Sequence, residues 1–383
     1  MILHNLDCDC YFKAVKYLLV INYNVNIMKM IFCTLFDSNY LDKGLVMYRS
    51  LCRHVDDFKL YVLAMDANCE KVLLSYNYIN LVVLNINDFS LKMGLEEIRK
   101  TRKHSEFCWT CTPFLLKFIL SGFKEPICTY LDADLYFYDT PFCLLSEMGE
   151  KTVQIVEHRF IDSIYGNYSK AISGTYCVQF NTFKNTNNAL DLLDWWCNKC
   201  RESCSITEQR NKNVFGDQGY LENWGSMSYV SILKNLGGGV APWNISKYKF
   251  YKNNKNENQM VLQEKKTGKI FSLVFYHFHN ISYNSIHEVN IGVYEPWKAE
   301  YELVREIYIP YLLEINKTKN ELKERFGIFL FPKSSTLERK NKKKKNSTFS
   351  DIIHDKLLVF KIYDYIFGKR KREKFNYLNE IKI

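Results

Sequence analysis

The chain has 383 residues, 47% of them hydrophobic and 25% charged, with a formal net charge of +10. That is the composition of an ordinary globular protein, long enough for one large domain, or a domain plus an extension, around a sizeable core. Thirteen cysteines, an odd number with no framework of spacings, and no clear secretory signal exclude a disulfide-stapled secreted scaffold and point to free thiols in a reducing cytosol. Much of the positive charge follows residue 317, so it describes a tail more than the core. A basic excess of this kind suits nucleic acid, an anionic membrane or phosphorylated substrates.

Residues 1–27 form an N-terminal extension outside the expected core. Tyr17-Leu-Leu-Val-Ile-Asn-Tyr-Asn-Val25 is too short and too interrupted by Asn to span a membrane. Met28 or Met30 precedes the first strong strand, so the natural start is expected there, or the segment is a loosely packed extension. Met30–Phe36 predicts a strand, Asp37–Gly44 a polar loop, and a helix begins at Leu45. At the start of an α/β sheet such a loop lies at the carboxyl edge, where nucleotides bind. No Gly-x-Gly-x-x-Gly is present, which argues against a dinucleotide site. Phe58–Asp66 and Leu81–Ile86 predict two more strands, with helical segments between. The alternation implies a mostly parallel sheet. Arg99–Lys103 is a basic run, either solvated or facing a diphosphate. Thr112–Leu120 predicts a helix with Pro113 near its start.

Thr129-Tyr-Leu-Asp-Ala-Asp-Leu-Tyr-Phe-Tyr138 is the centre of the chain. It is an apolar strand that stops at two carboxylates, Asp132 and Asp134, and then resumes. At i and i+2 on an extended chain the two point from one side. Carboxylates are rarely buried without partners, and a hard divalent cation is the economical partner. A solvated turn is the ordinary reading of a bare Asp-x-Asp; the apolar run before it favours a metal.

Val153–His158 is a further strand, and Gly174–Lys184 contains another. Leu190–Cys197 is apolar at helical spacing, and Trp195 and Trp196 read as packing residues. Cys108 and Cys111, or Cys197, Cys200 and Cys204, could suggest zinc; three ligands fall short of the usual four, and plain thiols are the simpler reading. Asp217 lies just inside a helix start, suited either to a site carboxylate or to an N-cap. Gly237–Ile245 predicts a flexible turn leading into a strand, with Trp243 and Asn244 near the site. Phe271–Asn280 predicts a strand carrying His277 and His279 on one face. Tyr301–Leu322 is helical, Glu338–Asn346 is a basic linker, and Phe349–Lys374 is an amphipathic helix with a basic end. Such a helix lies on an anionic membrane or packs back on the domain. The chain lacks a nucleic-acid recognition motif, so no nucleic-acid partner is expected.

Tyr130-Leu-Asp-Ala-Asp-Leu-Tyr-Phe-Tyr-Asp-Thr-Pro141 resembles the Asp-x-Asp segment of nucleotide-sugar glycosyltransferases of the GT-A fold, in the glycogenin and lipooligosaccharide galactosyltransferase group. Gly216-Asp-Gln-Gly-Tyr-Leu221 is similar to that group's Gly-Asp-Gln-Gly-x-Leu, and His277-Phe-His-Asn280 to its His-Phe-x-Gly. The resemblance implies an α/β GT-A domain (Rossmann-like, a mostly parallel central sheet with flanking helices) over residues 28–300, then a helical, basic extension over 301–383. It implies Mn²⁺ or Mg²⁺ on Asp132, Asp134 and His277, with His279 as the fallback ligand. It implies donor contacts from Thr34, Asp37, Tyr40, Lys117, Ala133 and Gln179, and places Asp217 and Gln218 at the sugar and acceptor. Two departures stand out. Cys177 and Gln179 occupy positions where the group often has Asn and Gly. Asn280 replaces Gly, and the usual Lys-Pro-Trp appears only as Glu295-Pro-Trp297. The implied activity is hexosyl transfer from a UDP-sugar to a saccharide or lipid-linked acceptor with retention, in surface polysaccharide or lipopolysaccharide synthesis, in the cytoplasm or at the inner membrane face. A membrane-associated scaffold with an inactive domain is one alternative. A sugar nucleotidyltransferase is the other, although its Gly-rich basic signature is missing.

Overall fold

The structure is a computed structural model that describes residues 29–205, 215–252, 259–283, 288–294, 298–330 and 380–382. The N-terminal extension, the basic linker, the amphipathic helix at 349–374 and Glu295–Trp297 lie outside the described residues.

Seven strands form the central sheet: β1 (Met30–Phe36), β2 (Phe58–Ala64), β3 (Leu81–Asn85), β4 (Ile127–Leu131), β6 (Val153–Glu157), β7 (Tyr176–Lys184) and β8 (Val230–Ile232). β5 (Leu135–Phe137) belongs to a separate ribbon. The order across the sheet is β3-β2-β1-β4-β7-β6-β8, and only β7 runs against its neighbours. This is the mixed α/β, mostly parallel architecture expected from the alternation of strands and helices. The apolar runs explain it. Ile31, Cys33 and Leu35 pack against one layer of helices, and Phe32 and Phe36 against the other. A strand buried on both faces reads as continuous apolar sequence, as β1 does.

One layer contains α1 (Leu41–His54); the other contains α2 (His104–Lys117) and α3 (Asn187–Glu202). Trp196 of α3 and Trp224 meet edge to face, 5.2 Å between ring centres, in the centre of that second layer. The expectation that Trp196 packs rather than binds sugar matches this burial. α1 starts four residues earlier than the apolar periodicity predicts, directly after a 3-10 turn at Ser38–Tyr40 capped by Asp37. α2 also starts earlier, so Pro113 lies inside the helix. Proline removes one backbone hydrogen bond there, and burial of Phe107, Cys111, Phe114 and Leu115 outweighs that loss.

Two expected strands are re-formed. Phe271–Asn280 is divided into β11 (Ile270–Ser272) and β12 (Phe275–His277), which join different sheets. β11 pairs with β10 (Val261–Glu264), which pairs in turn with β9 (Tyr248–Phe250). β12 leaves them to pair with β5. The strand expected around Ile245 is instead a 3-10 turn, Ile245–Lys247, leading into β9.

α4 (Tyr301–Phe326) lies along α1. Arg49 pairs with Glu321 at 2.8 Å and Arg53 with Glu314 at 2.7 Å. Beneath them Asp42 and Lys319 face each other at 3.6 Å, both buried, and burial pushes the Lys319 amine down to about 8. Among the described residues no helix is long and apolar enough to cross a membrane.

Candidate functional site

The chain builds its sheet outward from β1 to β2 and β3, then returns to place β4 on the other side of β1. The strand order therefore reverses between β1 and β4, the place where open α/β sheets hold a ligand crevice at the carboxyl ends of their strands. The loop after β1 (Asp37–Tyr40) and the turn after β4 (Asp132–Asp134) flank it. The turn, closed by Leu135 N donating to Asp132 O at 3.2 Å, interrupts the extended chain that the sequence suggested. The two carboxylates still converge, because both face one imidazole.

That imidazole belongs to His277, far away in sequence. β12 pairs antiparallel with β5 and sets His277 opposite Leu135, while Phe278 N donates to Asp134 O at 2.9 Å. From the other side His277 N donates to Val240 O at 2.9 Å. The preceding residue, Gly239, has φ +86°, a conformation that favours glycine, and a Cβ there would lie 2.9 Å from Val156 Cγ1.

His277 Nε2 stands 3.0 Å from Asp134 Oδ1 and 3.6 Å from Asp132 Oδ2. Its Nδ1 is 2.9 Å from Gln179 Oε1, which can only accept. Nδ1 therefore carries a hydrogen, and Nε2 is the nitrogen turned to the carboxylates. Burial opposes a charge on His277, but Asp134 and Asp132 outweigh it and hold the imidazole well above its ordinary range. Burial likewise opposes the charge on Asp134, and His277 and Lys43 overcome it, keeping that carboxyl well below its ordinary range. Asp132 is pushed up to about 6 by burial, with His277 opposing and Asp134 adding to the shift.

Two groups of donor atoms lie close enough to share one ion: Asp132, Cys177 and His277, and Asp134, His277 and His279. Carboxylate oxygens with one imidazole suit Mn²⁺ and also Mg²⁺. The hydrogen bond from Nδ1 to Gln179 is the outer contact that metal-binding histidines commonly keep. The residues thus fit a divalent cation. Burial keeps the Cys177 thiol protonated, which disfavours a thiolate-seeking metal. If Gln179 orients the ligand, Gln179→Leu should lower Mn²⁺ affinity about 10- to 100-fold in a calorimetric titration; unchanged affinity would mean the backbone alone holds His277.

The other expected residues divide into two sets. Asp217 joins the cluster: it is 6% exposed, and burial and then Asp132 raise its carboxyl to about 7. It stands at the N-cap position of the 3-10 turn Gln218–Leu221, where no side-chain capping bond is formed. Tyr40, 42% exposed, forms the outer wall, and Lys43 Nζ lies 3.8 Å over its ring. Asp37 is close to His104 Nε2 at 3.0 Å, and Ala133 is buried in the Asp132–Asp134 turn. His279 sits beside His277, with ring centres 5.6 Å apart. Thr34 is wholly buried in β1, and its hydroxyl has no partner among the described residues. Gln218 donates to Ser173 O at 2.8 Å, and Lys117 pairs with Asp194 of α3; neither contact involves the cluster. Cys197, Cys200 and Cys204 are buried in the core and belong to neither donor group.

Two contributors escape sequence reasoning. Lys43 looks like an ordinary loop lysine. Thr112, buried in α2, hydrogen-bonds Asp217. Trp243, expected near the site, meets the His277 ring edge-on at 5.2 Å, while its Nε1 donates to His158 O at 2.8 Å.

No protein-family profile matches the chain. Two curated relatives are uncharacterized proteins of Bacillus subtilis (strain 168). YfnD is 26% identical over 305 residues, covering 78% of this chain and 92% of YfnD. YfnF is 28% identical over 307 residues, covering 76% and 95%. Among solved structures, the galactosyltransferase LgtC matches with a TM-score of 0.46 and 13% identity over 75% of this chain and 96% of its own. GlyE of Streptococcus pneumoniae TIGR4 matches at 0.36 and 18%, over 55% of this chain and only 47% of GlyE. WbbM, a bifunctional enzyme, matches at 0.39 and 15%, over 77% of this chain and 52% of WbbM. All three are glycosyltransferases. None of the three TM-scores reaches 0.5, so function has to be read from this chain's own side chains.

Proposed function

We propose that the chain is a metal-dependent glycosyltransferase, moving a hexosyl unit from a nucleoside diphosphate sugar, UDP-linked in our reading, to a saccharide or lipid-linked acceptor. The observation that carries this is His277 Nε2 facing Asp134 and Asp132 at 3.0 and 3.6 Å, at the strand-order reversal between β1 and β4. A divalent cation held there by Asp132, Asp134 and His277 supplies Lewis-acid neutralisation of charge on the departing diphosphate.

The chain's own groups do the rest. Asp37 and the exposed Tyr40 ring receive the nucleoside at the crevice mouth. Gln179 fixes the His277 tautomer. Asp217, with Gln218 beside it, positions sugar and acceptor hydroxyls, so that the acceptor oxygen reaches the anomeric carbon as the bond to the diphosphate breaks. Trp243 closes the inner wall and excludes water from the ligands. Retention of configuration, a role in surface polysaccharide synthesis, and attachment to an anionic membrane through residues 349–374 complete the reading; that segment lies outside the described residues.

The test is nucleoside diphosphate release from a panel of nucleotide sugars, with Mn²⁺ or Mg²⁺ and with chelator. Release of one nucleotide that stops on chelation is the expected result. Binding of no nucleotide sugar, with or without metal, would remove the reading.

A further inference from the structure

We propose that Lys43 binds the diphosphate of the nucleotide donor, which would make it the protein's own cation beside the metal ligands. The proposal rests on the donor-site reading above. Lys43 lies in the first turn of α1, directly after the β1 loop. Its ammonium is placed over the Tyr40 ring at 3.8 Å. Among the described residues it makes no ion pair, although the charges of Asp134 and Asp42 both act on it. Its neighbour Asp42 is not available to it as an ion-pair partner: that carboxylate faces Lys319 at 3.6 Å and accepts the backbone N–H of Lys43 at 2.9 Å. This arrangement pins the turn, and the Lys43 ammonium rests on the Tyr40 ring instead of on Asp42.

The order of groups gives the ligand. Tyr40 is the exposed platform, 42% open, and Asp134 is the inner ligand, 8% open. Lys43 interacts with both: Tyr40 and Asp134 raise the Lys43 amine against the burial that opposes them. A nucleoside on Tyr40 and a metal on Asp134 must be joined by two phosphates, and Lys43, seated over the Tyr40 ring and acted on by Asp134, is placed to meet them. A cation beside a bound divalent ion is repelled unless an anion lies between them. A diphosphate is that anion, and a lysine meets it as a mobile point charge with three donors. The competing account is that Lys43 only supports the Tyr40 ring.

Calorimetric titration in Mn²⁺ of wild type, Lys43→Met and Lys43→Arg, with UDP, UMP and uridine, and in parallel GDP, GMP and guanosine, separates the two. The expected result is that Lys43→Met weakens the diphosphate about 10- to 100-fold, leaves the nucleoside unchanged, and is largely restored by arginine. If Lys43→Met weakens nucleoside and diphosphate equally, Lys43 is a support for Tyr40 and the proposal fails. If it weakens neither, the proposal fails as well. If the wild type binds neither UDP nor GDP, the donor-site reading itself fails, before any variant is compared.

Discussion

Asp134→Asn is expected to abolish the stabilisation that Mn²⁺ and UDP together give the protein. At a hundredfold excess over Kd a ligand contributes about 2.7 kcal/mol, which for a domain of this size raises the unfolding midpoint by about 5 °C. Asp134 Oδ1 is the oxygen nearest His277 Nε2, at 3.0 Å, so its loss removes a ligand rather than a neighbour of one. A further cost appears without metal. The buried imidazolium then keeps only Asp132, at 3.6 Å, and breaking one side of a buried ion pair costs about 3 kcal/mol or more. The pH dependence follows from the directions of the shifts. Asp134 is depressed, so its contribution is present above the ordinary carboxylate range and is lost as pH falls through its folded value. His277 is raised, so its contribution is complete below the ordinary imidazole range and is lost as pH rises through its folded value. The variant's deficit without metal is therefore largest between those limits. Because the metal must displace the proton on Nε2, Mn²⁺ affinity of the wild type should rise with pH. Thermal unfolding of both proteins across pH, with and without Mn²⁺ and UDP, checks all of this. An unchanged ligand shift in the variant would remove Asp134 from the metal site.

Asp217→Asn should separate stability from turnover. Burial and the charge of Asp132 hold the Asp217 carboxyl at about 7, above its unfolded value. In the metal-free protein the folded state thus keeps a proton that the unfolded state releases between about pH 4 and 7. Stability is lost as pH rises through that window, by an amount on the order of a few kcal/mol. Asn carries no charge there and removes the loss, so the metal-free variant should melt higher than wild type at pH 8 and nearly equally at pH 4. Turnover should fall on the order of a hundredfold, because a misplaced reacting hydroxyl costs about that much. UDP affinity in Mn²⁺ should hold, since Asp217 belongs to neither donor group. Denaturation curves at the two pH values, with nucleotide release measured on the same preparations, decide it. A variant as active as wild type would leave Asp217 a buried residue of the fold and nothing more.

Much of this arrangement was legible in the linear chain. Met30–Phe36 is a strand with the limits its apolar run predicts, and the apolar run that stops at Asp132 is β4, because strands buried on both faces carry their signal in every residue. Asp132 and Asp134 were visible because two carboxylates at the end of such a run need a partner. Less was legible where a proline or a turn competed with packing. α2 runs through Pro113 because its apolar face is committed to the core. The Phe271–Asn280 run breaks because its two halves are claimed by different partner strands. Asp217 as a cap and Asp217 as a site carboxylate have the same sequence signature, and its burial beside Asp132 is a tertiary fact that no local pattern displays.

The sequence by itself determined the alternation of strands and helices, the order in which the sheet's apolar segments appear, and the residue types that can hold a hard cation. Those properties are local: each depends on side-chain period and on chemistry within a few residues. The tertiary structure alone decided which of those residues meet. It set His277 against Asp134 through the pairing of β12 with β5, turned its Nε2 to the carboxylates by giving Nδ1 to Gln179, and left Lys43 over Tyr40 without an ion pair among the described residues while engaging Lys117 with Asp194. The physical reason is that strand register and helix packing are fixed by burial over the whole molecule, and a contact between residues far apart in the chain has no period for the sequence to display.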